Sequence, residues 1–172
     1  MKKIFILLSL ITQLFGLTDQ VYDFLIQSKN DPLLKAILKC EKEVSNHRDY
    51  GDPQICVDAA NLYKKQSYLT KKQKKYYGEA YSNAANMYLF SKRNKDFIKA
   101  YEMTLKAYNV GYGKIYPSLI YNLANFLRYG NGVEQNKALA YKYYLEAANL
   151  GDKKSKKAIY SLCSESPWAC QK

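Results

Sequence analysis

Three short stretches of this 172-residue chain place two polar Asx side chains three residues apart: Asp58-Ala59-Ala60-Asn61-Leu62-Tyr63, Asn83-Ala84-Ala85-Asn86-Met87-Tyr88 and Asn122-Leu123-Ala124-Asn125-Phe126-Leu127. Asparagine is a poor helix residue, because its short amide competes for backbone hydrogen bonds and offers no apolar surface to pack. Its chemistry is useful all the same. An amide both donates and accepts, so it matches a peptide group without needing sequence complementarity. Residues three apart share one helical face, so Asp58, Asn61, Asn83, Asn86, Asn122 and Asn125 would form a polar strip if their helices stack. The strip either reads a ligand or ties the helices to one another.

The other residues that could do chemistry are few. Four cysteines, Cys40, Cys56, Cys163 and Cys170, form an even set, which in an oxidising compartment reads as disulfides. Three pairings are possible. Sequence neighbours favour Cys40 with Cys56, across the turn at 50–53, and Cys163 with Cys170, around the loop SESPWA. The single histidine, His47, and the cysteine spacings do not make a zinc site. His47 reads as a surface residue at a helix end, and no cofactor or metal is expected.

Cysteine pairing requires export, and the first residues supply a reason to expect it. Met1-Lys2-Lys3 precedes the apolar run Ile4 to Gly16. At about 1.5 Å per residue that run is short for a bilayer core of about 30 Å, so residues 1–16 read as a signal peptide, cleaved after Gly16 or, as the alternative, retained as an uncleaved anchor. The mature chain is then periplasmic or secreted, with no stable membrane insertion after signal cleavage. Its formal charge of +12 suits nucleic acid, an anionic surface or an acidic partner. Export sets nucleic acid aside. The lysines at 71, 72, 74, 75 and at 153, 154, 156, 157 fall near helix starts and read as solvated faces.

The elements that must position these groups are helices. Apolar residues recur at three and four, without alternation flanked by hairpin signals. The pattern predicts helices near 20–28, 32–46, 54–66, 71–91, 95–110, 116–129, 136–150 and 154–164, with breaks at Asp31-Pro32, Asp52-Pro53 and glycines 111, 113, 130, 132 and 151. The segments repeat. Residues 83–88 match 122–127 at an offset of 39, and the run ending Leu105 to Gly111 matches that ending Leu145 to Gly151 at 40. Each unit is a helix pair, in which Ala85, Ala100, Ala107, Ala124, Ala140 and Ala147 allow close approach.

The run LANFLRYGNGVEQNKALAYKYYLEAANLG, residues 123–151, resembles a complete Sel1-like repeat, with a GNGV turn between two helices. The unit at 80–111 lacks that turn and looks more like an ordinary tetratricopeptide (TPR) repeat. The resemblance implies an all-α fold, an alpha-solenoid of stacked antiparallel helix pairs that presents a concave surface to a protein or peptide. It also implies a division into N-terminal helices at 17–50, repeats at 51–163 and a disulfide-closed tail at 164–172. In that fold the polar strip would line the groove.

The signal-like start, paired cysteines and ending LCSESPWAC are similar to the exported, cysteine-rich branch of that family known from Helicobacter. That branch has been described as penicillin-binding or beta-lactamase-like, which makes an amide hydrolase the alternative function. The residues offer it nothing. A serine beta-lactamase needs Ser-x-x-Lys to set a base beside its nucleophile, and no serine here has lysine three residues on. KTG and SDN are absent too. No catalytic residue is assigned. The reading is a non-catalytic exported scaffold that binds a protein, a peptide or a cell-envelope component.

Overall fold

The computed structural model describes residues 31–46, 51–92 and 95–171. The expected signal segment, the helix near 20–28 and His47 lie outside the described residues. Seven α-helices run through the rest: α1 Pro32–Asn46, α2 Gln54–Lys64, α3 Lys71–Phe90, α4 Phe97–Asn109, α5 Pro117–Tyr129, α6 Lys137–Asn149 and α7 Lys153–Glu165. One 3₁₀ turn, Tyr112–Lys114, joins α4 to α5, and a second, Pro167–Cys170, follows α7.

Their starts are set by capping chemistry. Asp31 accepts the Leu33 amide at 2.9 Å, and Asp52 the Gln54 amide at 2.9 Å. Thr70 and Gln73 form a reciprocal capping box on α3. Asp96, Asn136 and Asp152 each accept an amide three residues on. Each satisfies donors that the first turn of a helix leaves without partners. Helix α2 stops at Lys64, two residues short of the expected end, and the C-cap Lys65 closes onto Tyr63.

Each helix packs antiparallel on the next, α1 on α2, α2 on α3 and onward to α7, while α1 also touches α3 and α5 touches α7. First helices α1, α3, α5 and α7 thus form one layer and second helices α2, α4 and α6 the other. This is an alpha-solenoid. The six alanines expected to allow close approach are all buried, and large residues such as Tyr63, Ile37, Ile120 and Tyr144 fill the space between layers.

The repeat shows in the backbone of both loops, although their sequences differ. In the α3–α4 loop the Asp96 amide donates to Tyr88 O at 2.9 Å, and in the α5–α6 loop the Asn136 amide donates to Leu127 O at 2.8 Å. These are equivalent bonds in successive units, although only the second loop carries GNGV. Gly132 needs to be glycine there. Its φ is +73°, and a Cβ would overlap the backbone of Phe97 at the start of α4.

Both cysteine pairs close as the neighbour argument anticipates. Cys40–Cys56 joins α1 to α2, and Cys163–Cys170 fastens the last 3₁₀ turn to α7. That turn packs on α6 and α7, with Ala169 buried. Among the described residues no helix is long and apolar enough to cross a membrane.

Candidate functional site: a groove between first helices

The Asx pairs do not share one environment. Asp58 and Asn61 lie exposed on α2, a second helix, and Asp58 accepts from the Gln54 side chain at 2.8 Å. Asn83 and Asn86 lie on α3, and Asn122 and Asn125 on α5, both first helices. The structure therefore brings four of the six expected residues onto the first-helix layer and leaves two on the other.

Among those four, Asn125 has a resident partner. The Tyr144 hydroxyl donates to Asn125 Oδ1 at 2.6 Å, and Tyr144 is fully buried. Burial pushes the phenol up to about 12, so it stays a neutral donor that needs an acceptor. Asn83 is half-buried and points its Nδ2 at the Cys40 sulfur, 3.7 Å away. Among the described residues the Asn86 and Asn122 side chains have no hydrogen-bond partner.

Asn83 sits at the edge of an open cavity of about 490 Å³ between α1 and α3, lined by Glu41, Val44, Ser45, Glu79 and Asn83. Two antiparallel contacts build it. The Cys40–Cys56 bridge holds α1 against α2, and the long α3 runs past both. Glu79 is raised above the ordinary carboxylate range, first by burial, then by the charge of Glu41, with Lys75 partly offsetting. The same field reaches Tyr112, pushed up by burial and then by Glu79. Gly78 makes that neighbourhood possible, since a Cβ there would overlap the Tyr112 ring base. A second open cavity of about 390 Å³ is lined by Asp52, Pro53, Gln54, Tyr88, Lys95, Asp96 and Lys99. Its charges are mixed, and Lys99 also leans on the Tyr88 ring at 5.4 Å.

Glu41 and Glu79 escaped the sequence reading, although a signal was there. Glu79 is one turn before Asn83, and Glu41 follows Cys40, whose bridge fixes the face of α1 nearest α2. Arg128 escaped it too. It is buried inside α5, and its Nη2 donates to Ser161 Oγ at 2.8 Å and Glu165 Oε2 at 2.7 Å on α7. Lys137 Nζ holds the other Glu165 oxygen at 2.7 Å. Lys137 first and then Arg128 keep the Glu165 carboxyl down at about 2.

Two segments, residues 78–112 and 117–152, match the Sel1 repeat family model. The first covers the unit that lacks GxGV and was expected to be an ordinary TPR. Its loop makes the same backbone bond without the glycines, which is why the sequence alone misplaced it. Among solved structures, the crystal structure of a Sel1 repeat protein from Oxalobacter formigenes aligns at 20% identity and a TM-score of 0.44, covering 75% of this chain and 97% of that one. No curated protein matches significantly.

Proposed function

We propose that this protein is an exported, non-catalytic scaffold of the cysteine-rich, Helicobacter-type Sel1-like branch, which binds a protein or peptide of the cell envelope along its first-helix layer. The observation that carries the reading is the open cavity at Asn83, with the unpartnered Asn86 amide one turn further along the same helix α3. Amides left free of internal partners can pair with the backbone of an extended segment. The cavity has two carboxylates and no basic lining residue, so it favours a neutral or cationic side chain over an acidic one. Two disulfides support export, since such bonds persist in oxidising compartments. The chain would then divide as leader, N-terminal helices, Sel1 repeats and a disulfide-closed tail.

A crosslinking pull-down from the native cell envelope tests this. Asn83→Ala with Asn86→Ala should lower recovery of the captured partner by about 1–3 kcal/mol of binding free energy while the fold is kept. Equal capture by the double variant would place the contact elsewhere.

A further inference from the structure

The far end of the solenoid, α7 with the loop closed by Cys163 and Cys170, carries a surface that the groove does not use. At 100° per residue, Lys153, Lys156, Lys157, Tyr160 and Ser164 fall on one exposed arc of α7, opposite the buried Ser155 and Leu162. Tyr160 is 79% exposed, and Trp168, held by the disulfide loop at the end of the helix, is 62% exposed. Neither cavity is lined by any residue of this end.

The acids nearby do not neutralise the arc. Asp152 caps α7 through the Ser155 amide at 2.6 Å, and Glu165 is held by Arg128 and Lys137. The lysines make the outer face of α7 strongly polar. The two aromatics work against it. A phenol on the same arc as three free ammonium groups, and an exposed indole just past the helix end, each an apolar body with a polar tip, are the composition of a surface that rests at a bilayer interface.

We propose that this face is a peripheral docking surface for a bilayer bearing anionic lipid, with Lys153, Lys156 and Lys157 over the headgroups and Tyr160 and Trp168 at the interface. Docking here is not insertion, because α7 is a 13-residue helix with four lysines. The inference stands apart from the groove reading. A chain held to the envelope by its last helix would keep the α1–α3 cavity open to solvent, since the two share no residue.

Trp168 is the only tryptophan in the chain, so its emission reports the contact without a label. The purified protein is titrated with vesicles of phosphatidylcholine alone, and of phosphatidylcholine mixed with phosphatidylglycerol. The expected result is a blue shift and co-sedimentation with the mixed vesicles only, weakened by added salt. Replacing Lys153, Lys156 and Lys157 together with glutamine should weaken that binding more than tenfold, at about fivefold for each lysine near an anionic surface. Trp168→Ala, followed by sedimentation, should weaken it further while helical content is unchanged. The proposal is overturned by an unshifted spectrum with mixed vesicles, by undiminished binding of the triple variant, or by an equal blue shift on a soluble polyanion such as heparin.

Discussion

The two ends of the solenoid treat charge in opposite ways. At the junction of α5 and α7, Arg128 is buried against Ser161 and Glu165, and Lys137 closes the other carboxylate oxygen, so each charge has an opposite within 2.7 Å. At the junction of α1 and α3, Glu79 and Glu41 repel one another across an open cavity, and burial adds to the cost of ionising Glu79. The first arrangement fastens one repeat to the next. The second leaves electrostatic work undone, and a disulfide stands directly behind it. Charge only partly compensated in a cleft is what the proposed site would cost the fold, whereas compensated charge is how a fold is closed.

The largest effect should come from the covalent support under the costly end. Both sulfurs of Cys40–Cys56 are fully buried in the main core, while Cys163 and Cys170 are only half-buried. Replacing Cys40 and Cys56 with alanine should destabilise by about 3 kcal/mol, and replacing Cys163 and Cys170 by about 2, because the second loop is shorter. Thermal melts of the two double variants check the ranking. Graded reduction should also open Cys163–Cys170 first, as the more accessible bridge, and alkylation with mass mapping would show the reverse order if the burial argument is wrong.

At the satisfied end, Arg128→Ala removes two hydrogen bonds and a buried stem, for an expected loss of about 1–3 kcal/mol. Its pH dependence has a definite sign. Glu165 is lowered in the folded state, so the stability it contributes is present above its ordinary value near 4.5 and fades as pH falls through about 2. The acid limb of the melting curve should therefore flatten in Glu165→Gln. An unchanged limb would assign acid unfolding to other carboxylates.

What the sequence discloses differs between these regions for a physical reason. Helix bounds, both bridges and the six packing alanines depend on local signals: caps, breakers, a 39-residue offset, short separations between cysteines. Those are visible in one dimension. Asp58 and Asn61 resemble the other pairs locally yet stand on a second helix, because which layer a helix joins depends on its neighbours and not on its own residues. Arg128 pairs with Glu165 across 37 positions, and Glu79 meets Glu41 from another helix. No spacing rule exposes either. The offset exposes the first helix pair, but its likeness to the Sel1 model stays hidden for the converse reason, since its loop keeps the backbone bond without the glycines that mark the second.

The amides sharpen the contrast with a smaller effect. Asn125→Ala strips the acceptor from the buried Tyr144 hydroxyl and should cost about 1–2 kcal/mol. Asn86→Ala, exposed and unpartnered, should leave the melting temperature unchanged or raise it slightly through better helix propensity. Paired thermal melts read the difference. Equal losses at both positions would mean that the two helices use their amides in the same structural way.

The smallest effect is the most telling about the cavity. Glu79 is raised in the folded state, so its ionised form is disfavoured there relative to the unfolded chain. The stability linked to it is present in full below its ordinary value of 4.5 and is lost as pH rises through the higher folded value. Glutamine mimics the neutral acid in shape. Glu79→Gln should therefore raise the melting temperature slightly at neutral pH, with the gain vanishing below the carboxylate range. Lys75 partly offsets the repulsion, so Lys75→Gln should enlarge that gain. If the same Glu79→Gln change also weakens capture of the envelope partner, stability has been given up for binding at this position. A variant that melts earlier at neutral pH would show instead that Glu79 has a favourable partner in the fold, and the two ends of the solenoid would then differ only in which cations they use.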